Sequence, residues 1–208
     1  MNGIPGALAL LALGYLIGAI PFGLLIGRVS AGVDLREHGS GRIGATNALR
    51  TLGLPAAVLV FVLDIGKGAV AVLLVRWLYQ AGPAGSPDWV AAGAGLTAVF
   101  GHVRSVFIGF SGGRGVATFT GAMLVLAPAV VAVLLPVFGV IVWRWRYVSL
   151  GSISVAFLAP VATAVLAIIG ASSVAVVAFA AAAGALVVTA HRDNIARLRA
   201  GTERRIGQ

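Results

Sequence analysis

The chain has 208 residues, 60% of them hydrophobic and only 10% charged, with a mean hydropathy of +1.04. A soluble domain is about 45–50% apolar and about 25% charged, so this composition excludes one and predicts an integral membrane protein. The net charge of +9 suits positive-inside loops and anionic substrates or headgroups rather than nucleic acid, and the lack of cysteine excludes disulfides, thiolate catalysis and Cys-ligated metals.

The first apolar run, Ile4–Gly27, is too long for a signal-peptide core and lacks a basic flank. It reads as a retained span kinked at Pro21. A polar stretch from Leu35 to Arg50 follows, set between two membrane-length apolar runs. Gly39, Gly41 and Gly44 permit positive φ and expose N–H groups, while Arg42 and Arg50 add positive charge. With Ser40, Thr46 and Asn47 beside them, these residues suit a phosphate or another oxyanion. Gly39-Ser-Gly-Arg-Ile-Gly44 also reads formally as G-x-G-x-x-G, but the dinucleotide fingerprint needs a preceding strand and a βαβ unit. Apolar runs stand where those elements belong. The plainer reading is a glycine-rich loop that only joins two helices.

The second span, Leu52–Leu78, contains Asp64 and Lys67. At i and i+3 they share a helical face, so they can pair and face the bundle interior. An intramembrane pair is a functional candidate; a purely structural pair, or a snorkelling Lys67, is the alternative. Gln80–Asp88 carries no Lys or Arg and reads as an outer loop, before a short third span at Trp89–Val103. The polar interval Gly101–Gly115 ends in Gly112-Gly113-Arg114-Gly115 and leads straight into a helix, an arrangement that favours anions.

Val116–Val142 is long enough for one tilted helix, yet Pro128 and Pro136 interrupt it. Trp143-Arg-Trp-Arg-Tyr147 then forms an aromatic and basic interface signature. Ser149-Leu-Gly-Ser152 opens a span to Ile169, and a last one runs from Ser173 to Ala190 before a tail with five arginines. A single 116–142 span would put Arg144, Arg146 and the tail opposite the Arg28–Arg50 loop. Two short spans broken near Pro128 instead put every Lys and Arg except Lys67 and Arg76 on one side. The positive-inside rule selects the second arrangement. The prediction is an all-α integral membrane protein, one polytopic domain over residues 1–208, with about seven transmembrane helices. Two of these are short, the N-terminus is outside and the C-terminus is cytoplasmic. If the tail continues the last helix, His191, Asn194 and Leu198 share one face.

Gly39-Ser-Gly-Arg-Ile-Gly-Ala-Thr-Asn-Ala-Leu-Arg50 resembles the first motif of the bacterial acyl-phosphate-dependent glycerol-3-phosphate acyltransferases. Asp64-Ile-Gly-Lys-Gly68, Gly101-His102, Gly112-Gly-Arg-Gly-Val-Ala-Thr118, His191-Arg-Asp-Asn-Ile195 and Gly201-Thr-Glu-Arg-Arg-Ile-Gly207 resemble further family features, in the family's order. Arg42 replaces a usual Asn, Arg114 a usual Lys, and Ser111 a frequent basic residue. The resemblance implies a seven-helix bacterial plasma-membrane enzyme with its active site on the cytoplasmic side. It would acylate the sn-1 hydroxyl of glycerol 3-phosphate from acyl phosphate and release lysophosphatidate and inorganic phosphate. A separate enzyme would supply the acyl phosphate.

The side chains fit that chemistry. The His-x-x-x-x-Asp pair of the other large acyltransferase class is missing, because Ile43, Phe107 and Ala196 stand five residues after the three histidines. The acyl phosphate that the resemblance implies as donor is already activated and could supply its own base, which fits the shortage of candidate bases in the chain. The protein then contributes positioning and electrostatics. Resemblance and side-chain chemistry together make Ser40, His191 and Asn194 the catalytic candidates. Ser40 and the amides around Gly39, Gly41 and Gly44 would hold the acyl phosphate, with Thr46 and Asn47 bracing that loop. Arg50, and Arg114 on the Gly112–Gly113–Gly115 turn, would clamp the phosphate of glycerol 3-phosphate. Ser152, His191 and Asn194 would bind or orient the glycerol hydroxyls, with His191 as reserve base, and Lys67 would add charge from within the bundle. No cofactor or metal is expected, since no His/Asp/Glu cluster has ligand spacing. The partners expected are the two substrates and the lipid bilayer, not nucleic acid. The competing reading is a transporter for phosphorylated organic anions, which would place polar groups at the midplane of broken helices in both halves. A structural membrane subunit, the third reading, would not need so many polar motifs on one side.

Overall fold

The computed structural model describes residues 3–80 and 86–207. Most of the expected outer loop, residues 81–85, lies outside them. The described residues are helical apart from turns and an isolated Ser105–Ser111 bridge.

Helices α1 (Gly3–Ala19) and α2 (Phe22–Ala31) part at Pro21, which lacks an N–H and crowds the preceding turn. The carbonyls freed at the break find partners from elsewhere. Ser105 Oγ donates to Ala19 O at 2.5 Å and Lys67 Nζ donates to Ile20 O at 2.9 Å. Backbone freed in an apolar bundle needs such donors, because lipid offers none. A short helix α3 (Ala45–Leu52) is set off from α4 (Leu54–Leu78) by Gly53, which adopts φ +88°.

After α5 (Pro87–Val103) and a looped segment come α6 (Val116–Leu126) and α7 (Pro128–Trp145), divided at Ala127–Pro128. The expected break near Pro128 is present, but only α6, with 11 residues, is short. Helix α7 runs 18 residues straight through Pro136. One missing N–H leaves a single unpaired carbonyl, which a membrane helix tolerates. Helices α8 (Val148–Ile168), α9 (Val174–Ala190) and α10 (Arg192–Arg199) complete the chain. The tail does not extend the last span as a straight helix, because α9 and α10 are bent by 59° at His191. Gly3–Ala31, α4, α7 and α8 are each long and apolar enough to cross a membrane, and the α9–α10 pair would make a fifth.

Helix α5 packs against α1, α4 and α9, and α9 against α8. Their shared core holds Val72, Val99, Met123, Ala159 and the stacked rings of Phe119 and Phe179. Outside it, Val133, Leu135 and Val140 of α7 are exposed, as a lipid-facing surface requires. Close helix approach is set by small residues. A Cβ on Gly68 would overlap the Thr118 carbonyl, and one on Gly121 the Ile65 carbonyl, so α4 and α6 meet backbone to backbone. Gly68→Ala is therefore expected to cost about 1–3 kcal/mol from overpacking, read as a lower melting temperature in detergent. Gly66→Ala on the same helix, with open space around it, is expected to be neutral or stabilising.

Candidate active site

The loop around Ser40 is held by one side chain. Asn47, buried in the first turn of α3, donates from Nδ2 to the carbonyls of Leu35 (2.9 Å), His38 (3.0 Å) and Arg42 (2.8 Å). Its Oδ1 accepts from the Ser40 N–H at 2.9 Å. Gly39 and Gly41, at φ +59° and +67°, make the turns on either side of Ser40. A side chain on Gly39 would also collide with Asn47 Oδ1.

The second glycine loop lies on the end of α5. The Gly113 N–H donates to the His102 carbonyl at 3.1 Å, and a Cβ on Gly113 would overlap His102 Nε2. Gly115, at φ +82°, then turns the chain into α6 and leaves Arg114 half-buried at its start. Gly109-Phe-Ser-Gly-Gly113 formally reads G-x-S-x-G, the nucleophile elbow of serine hydrolases. Here no strand precedes it, and Ser111 Oγ donates to the Ile108 carbonyl at 2.7 Å. The motif lacks its structural context.

Beneath both loops lies a buried polar cluster. Lys67 Nζ is 2.8 Å from Asp64 Oδ1, and His102 Nδ1 is 3.5 Å from the same oxygen. Asp64 and His102 reach the pocket wall; Lys67 does not. Its ammonium points to Ile20 O and sits 5.6 Å above the Phe22 ring. The deep pair expected from the sequence is present, with Lys67 spent on sealing the α1–α2 break.

The third side of the site comes from the C-terminal tail. Ile206 and Arg146 exchange two hydrogen bonds of 2.8 Å, which fold the tail back onto the end of α7. That places Glu203 between α8 and α10. Its Oε1 accepts from Ser149 Oγ (2.8 Å) and Asn194 Nδ2 (2.6 Å), and its Oε2 pairs with Arg197 Nε at 2.7 Å. Burial alone would raise the Glu203 carboxyl; the hydrogen bonds from Asn194, Ser149 and Arg197 outweigh it and hold it below the usual range.

These elements enclose a cavity of about 200 Å³. Ser40, Gly44, Thr46, Asn47, Arg50, Arg114, Gly115, Ser152, His191 and Asn194 line it, all expected from the sequence. Gly39, Gly41, Gly112 and Gly113 shape the loops without lining it, and Gly39 faces a neighbouring open depression with Arg50 and Arg204. Sequence reasoning missed Ser149, Glu203, Arg204, Asp64 and His102 as lining groups. The signal for Glu203 and His102 was in hand, since both fall inside quoted motifs. What was lacking was the fold that turns them inward.

The cavity is strongly cationic. First-turn residues of three helices line it: Ala45 and Thr46 of α3, Val116 and Ala117 of α6, Val148 and Ser149 of α8. Helix N-termini attract anions. Arg42, Arg50, Arg114 and Arg204 also line it, while its two acids, Asp64 and Glu203, are already paired. Arg114 is driven down to about 10, first by burial and then by the charges of Arg42 and Arg197. Burial, then Arg204, lowers Arg50 likewise. Cations that repel one another are relieved by an anion. His191, at the bend beyond α9, has Nδ1 2.7 Å from the Val187 carbonyl, so Nδ1 carries the proton. Burial first, opposed by that carbonyl and aided by Arg114, lowers the imidazole to about 4. It is neutral at physiological pH, with Nε2 as an acceptor.

Phe61, Val116 and Phe138 belong to this cavity and also to an adjoining apolar groove of about 90 Å³. Helices α4, α6, α7 and α8 form the groove, which Phe119, Met123, Leu134 and Val155 help to line. A cationic chamber thus opens into an apolar slot within the bundle.

Together the helical bundle and this pocket define an integral membrane protein with a site that is cationic at one end and apolar at the other. The chain belongs to the glycerol-3-phosphate acyltransferase family, a family of acyltransferase enzymes, whose model matches residues 8–201. It is 46% identical over 202 residues to a glycerol-3-phosphate acyltransferase of Synechococcus sp. strain CC9902, covering 97% of this chain and 96% of that one. The corresponding protein of Geobacter sulfurreducens is 45% identical over 202 residues, covering 95% and 96%. In structure the chain is similar to crystallised PlsY (YgiH), an integral membrane glycerol 3-phosphate acyltransferase, at 40% identity over 97% of this chain and 96% of that one. The TM-score is 0.85 for its glycerol 3-phosphate form and 0.82 for its lysophosphatidic acid form.

Proposed function

We propose that this protein transfers a fatty acyl group from acyl phosphate to the sn-1 hydroxyl of glycerol 3-phosphate, releasing lysophosphatidate and inorganic phosphate. The observation that carries this reading is the continuity of the cationic chamber with the apolar groove at Phe61, Val116 and Phe138. Acyl phosphate has that shape: a dianionic head on a hydrocarbon tail. The relative crystallised with glycerol 3-phosphate and with lysophosphatidic acid, at 40% identity, supports the acceptor and the product.

In this reading the tail lies in the groove and the mixed anhydride in the chamber. The acceptor hydroxyl oxygen attacks the acyl carbon, the carbon–oxygen bond to phosphate breaks, and the hydroxyl proton passes to an oxygen of the departing phosphate. Ser40, presented by the Asn47-held loop, orients the donor head, with Gly39, Gly41, Gly44 and Thr46 shaping its cradle. Arg50 and Arg114 clamp the acceptor phosphate, each guanidinium offering paired donors. Ser152, Asn194 and His191 Nε2 receive the glycerol hydroxyls. His191, pushed to about 4, is a weak base, which favours the donor phosphate as proton acceptor. Charge distribution supports about seven spans, an outer N-terminus and a cytoplasmic site. A bacterial plasma membrane and a separate acyl-phosphate-forming enzyme follow only from the family resemblance of the motifs.

The test is lysophosphatidate and phosphate formation by purified protein in a lipid matrix, with palmitoyl phosphate or palmitoyl-CoA and glycerol 3-phosphate. Product is expected from palmitoyl phosphate alone and is expected to fall about 100-fold or more in Ser40→Ala. Product from palmitoyl-CoA but not palmitoyl phosphate overturns the donor. No product from either overturns the reaction and points to anion transport.

A further inference from the structure

One contact at the pocket is not used by this scheme. Arg42 Nη2 lies 3.2 Å from Asp193 Oδ2, joining the Ser40 loop to α10 across 151 residues. The two side chains are 28% and 42% exposed, so the pair sits at the watery rim of the chamber. A partly exposed ion pair stabilises a fold little and is readily exchanged for another partner. Nor is it needed to hold the loop, because Asn47 already fixes the Arg42 carbonyl at 2.8 Å and the Ser40 N–H at 2.9 Å. Yet Arg42 lines the chamber, and its charge acts on both Arg114 and His191. Asp193 is not in the wall. It has a second cation, Arg192 Nε at 3.6 Å, and enough exposure to remain solvated when Arg42 leaves.

We infer that Arg42 is a specificity-determining ligand for the phosphate of glycerol 3-phosphate, and that Asp193 is a competing anion from which the substrate draws it. The inference rests on the acyltransferase reading. The rim favours the acceptor over the donor. A water-soluble phosphate ester arrives from the exposed side, whereas the acyl phosphate is tethered through its tail in the groove beyond Phe61 and Phe138. Asp193 thus sets the acceptor affinity without touching the acceptor. It keeps the arginine extended between turnovers and gives it up to a dianion, which offers more charge than a carboxylate.

A ligand and a mere strap predict different signs. Arg42→Gln removes a charged hydrogen bond to the phosphate and is expected to raise KM for glycerol 3-phosphate about tenfold, with a smaller change in kcat. Asp193→Asn removes the competitor and is expected to lower the same KM by up to about fivefold. The double variant is expected to match Arg42→Gln. A structural strap would make both single variants move KM in the same direction. Parallel shifts, no shift, or a shift confined to the KM of palmitoyl phosphate overturns the inference. Calorimetric dissociation constants for glycerol 3-phosphate, measured on the same three proteins and the wild type, carry the same signs without turnover. A wild type inactive with both donors would thus sink the acyltransferase reading while leaving the role of Arg42 decided by binding.

Discussion

Asn47→Ala is expected to lower stability by about 3–5 kcal/mol and the melting temperature by about 10 °C, measured by thermal unfolding in detergent. The substitution removes the two Nδ2 protons that three carbonyls share, and one accepted bond, at a buried position. The Leu35 carbonyl, on a residue with no exposed surface, has no route to water. The carbonyls of His38 and Arg42 are nearer solvent and regain part of the loss, so the sum stays below four full desolvation penalties. Activity is expected to fall further than stability, by about 100-fold or more at temperatures where the variant is still folded, because Ser40 loses the anchor of its N–H. Retention of near wild-type activity would show that the Ser40 loop keeps its shape without Asn47.

Arg114→Gln is expected to raise KM for glycerol 3-phosphate by about 30- to 150-fold, the equivalent of about 2–3 kcal/mol for a lost charge-assisted contact. Arg114 stands in the chamber on the glycine turn, with its Nε buried and without a hydrogen-bond partner among the described residues. Burial first, and then repulsion from Arg42 and Arg197, already disfavour its charge, so the energy returned by a bound dianion is larger than at a solvated arginine. Arg114→Lys keeps the charge but loses the fork, and is expected to stay within about tenfold of the wild type. Initial rates against acceptor concentration separate the three proteins. An unchanged KM in the Gln variant would remove Arg114 from the phosphate clamp.

Local sequence determined much of this protein. Uninterrupted apolar runs made the membrane bundle legible, because spanning helices need little more than length and hydropathy. Pro21 and Pro128 marked breaks, since a proline lacks the N–H and crowds the preceding turn, although α7 absorbs Pro136 without ending. The glycine, serine and arginine loops announced an anion site, because backbone freedom and positive charge are properties of the residues themselves. The distribution of basic residues predicted that residues 28–51, 104–115, 143–152 and 191–208 share one side, and each interval contributes to the chamber.

Partnership between distant groups was decided only by the tertiary structure. Lys67 seals a carbonyl 47 residues away and stays out of the chamber wall, because the α1–α2 break happens to lie against α4. Glu203 becomes a hub for Ser149, Asn194 and Arg197 only once the tail docks on Arg146. The bend at His191, the run of α7 through Pro136 and the Arg42–Asp193 bridge have the same origin. Hydropathy and glycine act along the chain, whereas an ion pair or a capped carbonyl depends on which helices adjoin, and that is settled by side-chain packing among all of them at once.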